Sequence, residues 1–185
     1  MTKIPDHVKR SRSLWTNTGR RRPPFAIPPA VGQESVWDYP RPPAIVPDDR
    51  EVTVRFRGVE VARTTHAVRV CETASPPTFY IPPNDVRLEL LAKSDQRSFC
   101  EWKGQASYWT LALPGRPPQA AVAWSYARPF PEFDRIRDYL CFYPARVDCL
   151  VAGRAVTPQP GGFYGGWITP EVVGPFKGDP GTSGW

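Results

Sequence analysis

Short runs of alternating apolar and polar residues carry the middle of this chain. Val52, Val54 and Phe56 alternate with Thr53, Arg55 and Arg57, the period of a half-buried strand. Gly58 makes a tight turn, and Glu60 to Thr64 returns as the second arm of a hairpin. Ala67 to Glu72 and Thr78 to Ile81 read as further short strands, separated by Pro76-Pro77 and stopped by Pro82-Pro83-Asn84-Asp85. Val86, Leu88 and Leu90 alternate with Arg87 and Glu89 and predict another. Ala106 to Leu113 is the clearest strand, with Ala120 to Tyr126 as its hairpin partner across Pro114 to Pro118. Glu132 to Asp138 reads as about two helical turns, with proline and acidic residues at its start. Tyr139 to Tyr143 and Val147 to Val151 are strands joined at Pro144-Ala145-Arg146.

The flanks show neither period. Residues 1–34 are basic and then proline-rich, which predicts an extended, mobile arm leading through Trp37 to Pro43 into a domain that begins near Glu51. From Gly153 onward glycines alternate with Phe163, Tyr164, Trp167, Phe176 and Trp185, so the tail is expected to lie across the domain or a partner. The division is residues 1–50 arm, 51–152 β domain and 153–185 tail.

Composition narrows this picture. Of 185 residues, 24 are proline and 14 glycine, about a fifth of the chain against a usual share of roughly an eighth. Proline at that density rules out long helices over most of the length. The expected fold class is mainly β with many turns, one short helix and extended tails. The formal net charge of +6 owes much to Lys3, Lys9, Arg10, Arg12, Arg20, Arg21 and Arg22. Such a run is either a solvated tail or an arm for an acidic surface. Nucleic-acid binding is not favoured, because the aromatic rings are strand-bound and needed for the core. No apolar run reaches the roughly 20 residues of a membrane helix. Basic residues near the start have no apolar stretch after them, unlike a secretory signal. The four cysteines are few and widely spaced, which points to reduced thiols and a cytoplasmic protein.

Candidate chemistry gathers in Cys100-Glu101-Trp102-Lys103-Gly104-Gln105-Ala106-Ser107-Tyr108-Trp109. Lys103 follows Cys100 by three residues, and a nearby ammonium raises the thiolate fraction of a thiol. The plainer reading makes Cys100 a small buried hydrophobe. Lys103 either holds an anionic or carbonyl group or lays its stem on Trp102. Tyr108 and Trp109 point to opposite sides of a strand; Tyr108 is expected in the pocket. Trp124 and Tyr126 share a side, and with Tyr80 they form an aromatic cage or simply an aromatic core. Glu72 is a candidate general base if buried. Asp85 either contributes to the site or caps its turn. His66 is the only histidine of the domain, so no Ser-His-Asp set is credible.

The strings Val70-Cys71-Glu72-Thr73, Tyr80-Ile81-Pro82, Asp85-Val86, Cys100-Glu101-Trp102-Lys103-Gly104, Ala106-Ser107-Tyr108-Trp109, Trp124-Ser125-Tyr126 and Phe142-Tyr143-Pro144 occur here in one order. In this the chain resembles the bacterial family catalogued as domain of unknown function 427, over about residues 51–152. The lead-in and the aromatic-glycine tail look like those of actinobacterial members. The resemblance implies a compact antiparallel β fold of the Mss4-like or β-tent kind, with twisted sheets closing over a pocket. A nucleotidyltransferase label sometimes travels with the family; no glycine-rich phosphate loop or paired acidic metal site supports it here. β-tent relatives bind zinc between two Cys-x-x-Cys knuckles, and this chain has none, so no metal and no cofactor is expected. Some members carry two copies of the domain, which makes a homodimer of this single-copy chain one alternative. The site residues are then Cys100, Lys103 and Glu72 for any chemistry, and Tyr80, Trp102, Tyr108, Trp124, Tyr126 and Asp85 for a small-molecule ligand. The competing expectation is a scaffold that uses its arm and tail to clasp a second subunit.

Overall fold

Strands whose side chains alternate need a partner for each apolar face. The computed structural model describes residues 4–185, so Lys3 and the two residues before it lie outside the described part of the arm. The strands in chain order are β1 (Glu34–Ser35), β2 (Ala44–Asp48), β3 (Val52–Phe56), β4 (Val59–Thr64), β5 (Ala67–Cys71), β6 (Thr78–Ile81), β7 (Leu91–Cys100) and β8 (Gly104–Leu111). They continue as β9 (Gln119–Ser125), β10 (Leu140–Phe142), β11 (Asp148–Val151), β12 (Arg154–Ala155), β13 (Thr157–Pro158), β14 (Trp167–Ile168) and β15 (Val172–Val173). A seven-stranded sheet runs β2-β5-β6-β10-β9-β8-β7, antiparallel throughout. A four-stranded sheet runs β12-β11-β3-β4. The protein is mainly antiparallel β.

The two sheets share one core. Val52, Val54, Val61 and Val151 of the smaller sheet pack with Phe79, Ile81, Leu111, Leu140 and Phe142 of the larger one. From the tail, Trp167 joins this core, stacked on Phe79 at 5.0 Å and donating from Nε1 to the Phe142 carbonyl at 2.9 Å. The large sheet's other face carries a second cluster, rich in Tyr and Trp. Both hairpins predicted at β3–β4 and β8–β9 are present.

Three sequence expectations differ from the structure. Val86 to Leu90 is not a strand: Val86 makes one bridge to Ala62, and Leu88–Leu90 is a 3-10 turn. Val86 is buried and Leu90 packs against the core, but Leu88 between them is 39% exposed, so the alternation does not mark one continuous buried face. Glu132 to Asp138 is not an α-helix either. Pro131–Ile136 is two merged 3-10 turns kinked at Phe133, and Phe133 and Ile136, three apart, are buried together. The α-helix lies in the arm, read as extended from its sequence: α1 spans Asp6–Ser13. Proline is absent between Asp6 and Arg22, Asp6 sits in the first turn with Arg10 and Arg12 in the last, and Val8 is buried. No described helix is long and apolar enough to cross a membrane.

Candidate functional site

Strand register assembles the site. Val68 pairs with Tyr80, Tyr80 with Cys141, Cys141 with Trp124 and Trp124 with Tyr108. These residues form one row across β5, β6, β10, β9 and β8, on the face turned away from the smaller sheet. Tyr126 joins the same cluster. The rings hold one another through their polar ends. Trp124 Nε1 donates to Tyr80 Oη at 3.2 Å, and Tyr108 Oη shares a hydrogen bond of 2.8 Å with Ser98 Oγ. Rigid rings fixed in this way leave volume between them, because none can bend to fill it.

The β7–β8 turn brings in the charge. Cys100 and Gly104 are paired, and Gly104 has φ +96°, a conformation that side chains disfavour. Phe130 N donates to the Lys103 carbonyl at 3.2 Å and holds the turn down. The Lys103 side chain thereby enters the aromatic row and is only 9% exposed. Burial pulls its pKa down, but Cys100, which is also its hydrogen-bond partner, and Glu72 push it up and prevail, so it stays an ammonium. Among the described residues no carboxylate forms an ion pair with it. Tyr80 and Tyr126 have pKa values raised chiefly by burial and remain phenols.

Arm and tail form the opposite wall. Trp15, Tyr164, Gly165 and Lys177 stand opposite the row and border a partly open cavity of about 330 Å³. A Cβ at Gly165 would sit 2.3 Å from the Trp124 ring, so glycine sets how closely the tail approaches. Trp15 Nε1 donates to Glu101 Oε1 at 2.9 Å. Arg41, buried behind this wall, joins all three segments. It donates to Glu72 Oε1 at 3.0 Å, to the Thr73 carbonyl at 3.0 Å, to the Asn17 carbonyl at 3.1 Å and to the Trp185 backbone oxygen at 2.9 Å.

Seven of the nine residues singled out from sequence line this cavity: Glu72, Tyr80, Cys100, Lys103, Tyr108, Trp124 and Tyr126. Trp102 does not. It is buried beside the arm, with the Arg12 guanidinium 5.0 Å from its ring centroid. Asp85 does not either; it accepts a hydrogen bond from Thr64 Oγ1 at 2.5 Å. Glu72 lies at the cavity edge with Oε1 engaged by Arg41. Sequence reasoning missed Trp15, Arg41 and Lys177, which reach the site from segments without periodicity. The four cysteines are free thiols, and Cys71, Cys141 and Cys149 are buried with pKa values raised by burial. Among the described residues no group of three or more His, Cys, Asp and Glu is placed to hold a metal.

Chemically, the cavity offers flat apolar surface, phenol hydroxyls and a buried ammonium. No curated protein matches the sequence. Residues 44–153, more than half of the chain and including β2 through β11, match one family over their whole run. The chain therefore belongs to the family described as a domain of unknown function (DUF427).

Proposed function

We propose that this protein binds a flat, anionic small molecule in the cavity on the outer face of its large sheet. The observation that carries the reading is Lys103: a buried ammonium without a carboxylate partner, set among aromatic rings. A buried charge is costly unless something pairs with it. A ligand carboxylate or phosphate would complete that pairing, while Tyr80, Tyr108, Trp124 and Tyr126 take its planar body. The chemistry open to a bound molecule runs through Cys100 as nucleophile or Lys103 as acid.

The scaffold reading has less support. Side chains that would grip a second subunit are engaged within the chain itself. Arg12 donates to the Glu101 and Trp102 carbonyls and to Glu132, and Trp37 Nε1 donates to the Pro175 carbonyl.

Calorimetric titration with aromatic carboxylates and their neutral amides tests the proposal. A charge-assisted hydrogen bond contributes about 1.5–3 kcal/mol, so acids are expected to bind at least about tenfold tighter than amides. That preference should vanish in Lys103→Met. Equal affinity for acid and amide in the unaltered protein would contradict the reading.

A further inference from the structure

The residues that border the cavity run from buried to exposed, and the two ends differ in chemistry. Lys103 is 9% exposed and lines the cavity with Tyr80, Trp124 and Tyr126, all buried. Phe163 borders the same cavity and is 68% exposed. A ligand held at Lys103 by its anion therefore enters charged end first and leaves its other end beside Phe163. Phe163 is carried by a six-residue loop, 160–165, whose base is fixed. Buried Gln159 ties the two ends together: its N donates to the Gly166 carbonyl at 3.1 Å, its Oε1 accepts from Gly166 N at 3.0 Å, and its Nε2 donates to the Lys177 carbonyl at 2.7 Å. Gly161 and Gly165 are pinned by close approach. A Cβ at Gly161 would sit 2.2 Å from the Gly178 carbonyl oxygen, and one at Gly165 would meet the Trp124 ring. Between these pins the loop is loose. Among the described residues no hydrogen bond involves residues 160–165. Gly162 has φ +70° with open space around it, so its dihedrals can change at little cost. The ring neighbour of Phe163 is Tyr164 of its own loop, at 5.1 Å, whereas Phe99, the other exposed phenylalanine bordering the cavity, leans on Phe130 at 6.2 Å.

We infer that loop 160–165 closes over the bound molecule and that Phe163 covers an apolar group on it, opposite the anion. This rests on the binding role proposed above and adds the ligand's second half: an aromatic acid with an apolar substituent across the ring from its carboxylate. Rotation about Gly162 swings Phe163 inward while Gln159, Gly161 and Gly165 hold the base. The ring then lies on the substituent and both lose contact with water.

Benzoate and 4-butylbenzoate are titrated by calorimetry into the intact protein and into Phe163→Ser. Phe163 is mostly exposed, so its replacement leaves the fold intact. Each methylene buried is worth about fourfold in affinity, so 4-butylbenzoate should bind the unaltered protein at least about tenfold tighter than benzoate. Phe163→Ser should lose most of that gain and bind benzoate as before. Amide hydrogen exchange at residues 162–164 should slow when 4-butylbenzoate binds. Equal affinity for the two acids, a gain kept in full by Phe163→Ser, or exchange at 162–164 unchanged by bound 4-butylbenzoate overturns the inference, while benzoate binding leaves the anion site standing. If neither acid binds the unaltered protein, both proposals fall.

Discussion

The two faces of the seven-stranded sheet are made from the same strands and do different things. On the inner face Phe79, Ile81, Leu140 and Phe142 meet the smaller sheet and fill the space between. On the outer face, one residue along each strand, Tyr80 and Trp124 line a cavity with a lysine in it, and Cys141 is buried between them in the same row. The inner face is built mostly of side chains without polar atoms, which pack by shape, with Trp109 tied to Ser125 Oγ through Nε1 at 3.0 Å. The outer face uses rings with polar ends, whose hydrogen bonds fix them before the volume is filled. Period-two alternation thus gives one sheet a face for stability and a face for binding.

Truncation on the inner face should have the largest effect. Phe142 is fully buried, and Phe142→Ala is expected to destabilise by about 3–5 kcal/mol, read from the denaturation midpoint. A loss under about 1 kcal/mol would mean that the inner face is not the core.

Arg41→Ala tests what holds the far wall of the outer cavity in place. It removes four hydrogen bonds from a guanidinium whose side chain is 1% exposed and leaves Glu72 unpaired. Glu72 is 20% exposed, so water softens the loss to about 2 kcal/mol. Protease should then cut the arm and tail well before the sheets. Uniform digestion would show that Arg41 does not tie those segments down.

Alkaline pH should loosen the outer face. Burial raises the Cys141 thiol pKa well above its ordinary 9.0. Its raised folded value contributes stability that is full below pH 9 and lost as pH rises, because the unfolded chain gives up that proton first. Stability should fall above pH 9, with Cys141 adding up to about 1.4 kcal/mol per pH unit to the slope. Cys141→Ala should flatten the slope, and an unchanged slope would count against a buried neutral thiol.

The smallest effect is expected away from both faces. Asp85→Asn weakens one hydrogen bond with Thr64 and should cost about 1 kcal/mol or less without changing ligand binding. A loss of binding would move the site.

The contrast between the faces also accounts for what was legible in the chain. Tyr80, Trp124, Tyr126 and Tyr108 lie on regular strands, so counting by twos puts them on one side. Lys103 and Cys100 flank the bend before Gly104 and come with them. Asp85 stood out in the resemblance to the family, yet its partner is a neighbouring threonine, a contact that no spacing announces. Trp102 carries the motif but turns inward against the arm. Arg41, Trp15 and Lys177 were not placed in the site because they come from flanks without periodicity and act at a distance no spacing shows: Arg41 reaches Asn17, Thr73 and Trp185. A basic arm reads as solvated when nothing local shows that Arg12 ends on Glu101 and Trp102. Val86 to Leu90 misled in the opposite direction, since alternation alone does not reveal that Leu88 faces water.

The central claim is that the cavity around Lys103 is a binding site and not a packing defect. A native mass spectrum of the purified protein, taken beside one of Lys103→Met, tests it most directly. The account predicts that an aromatic carboxylate added to both is retained by the first and lost by the second, with the charge-state distribution of a folded protein in each. Equal retention by the two proteins, or by neither, would contradict it.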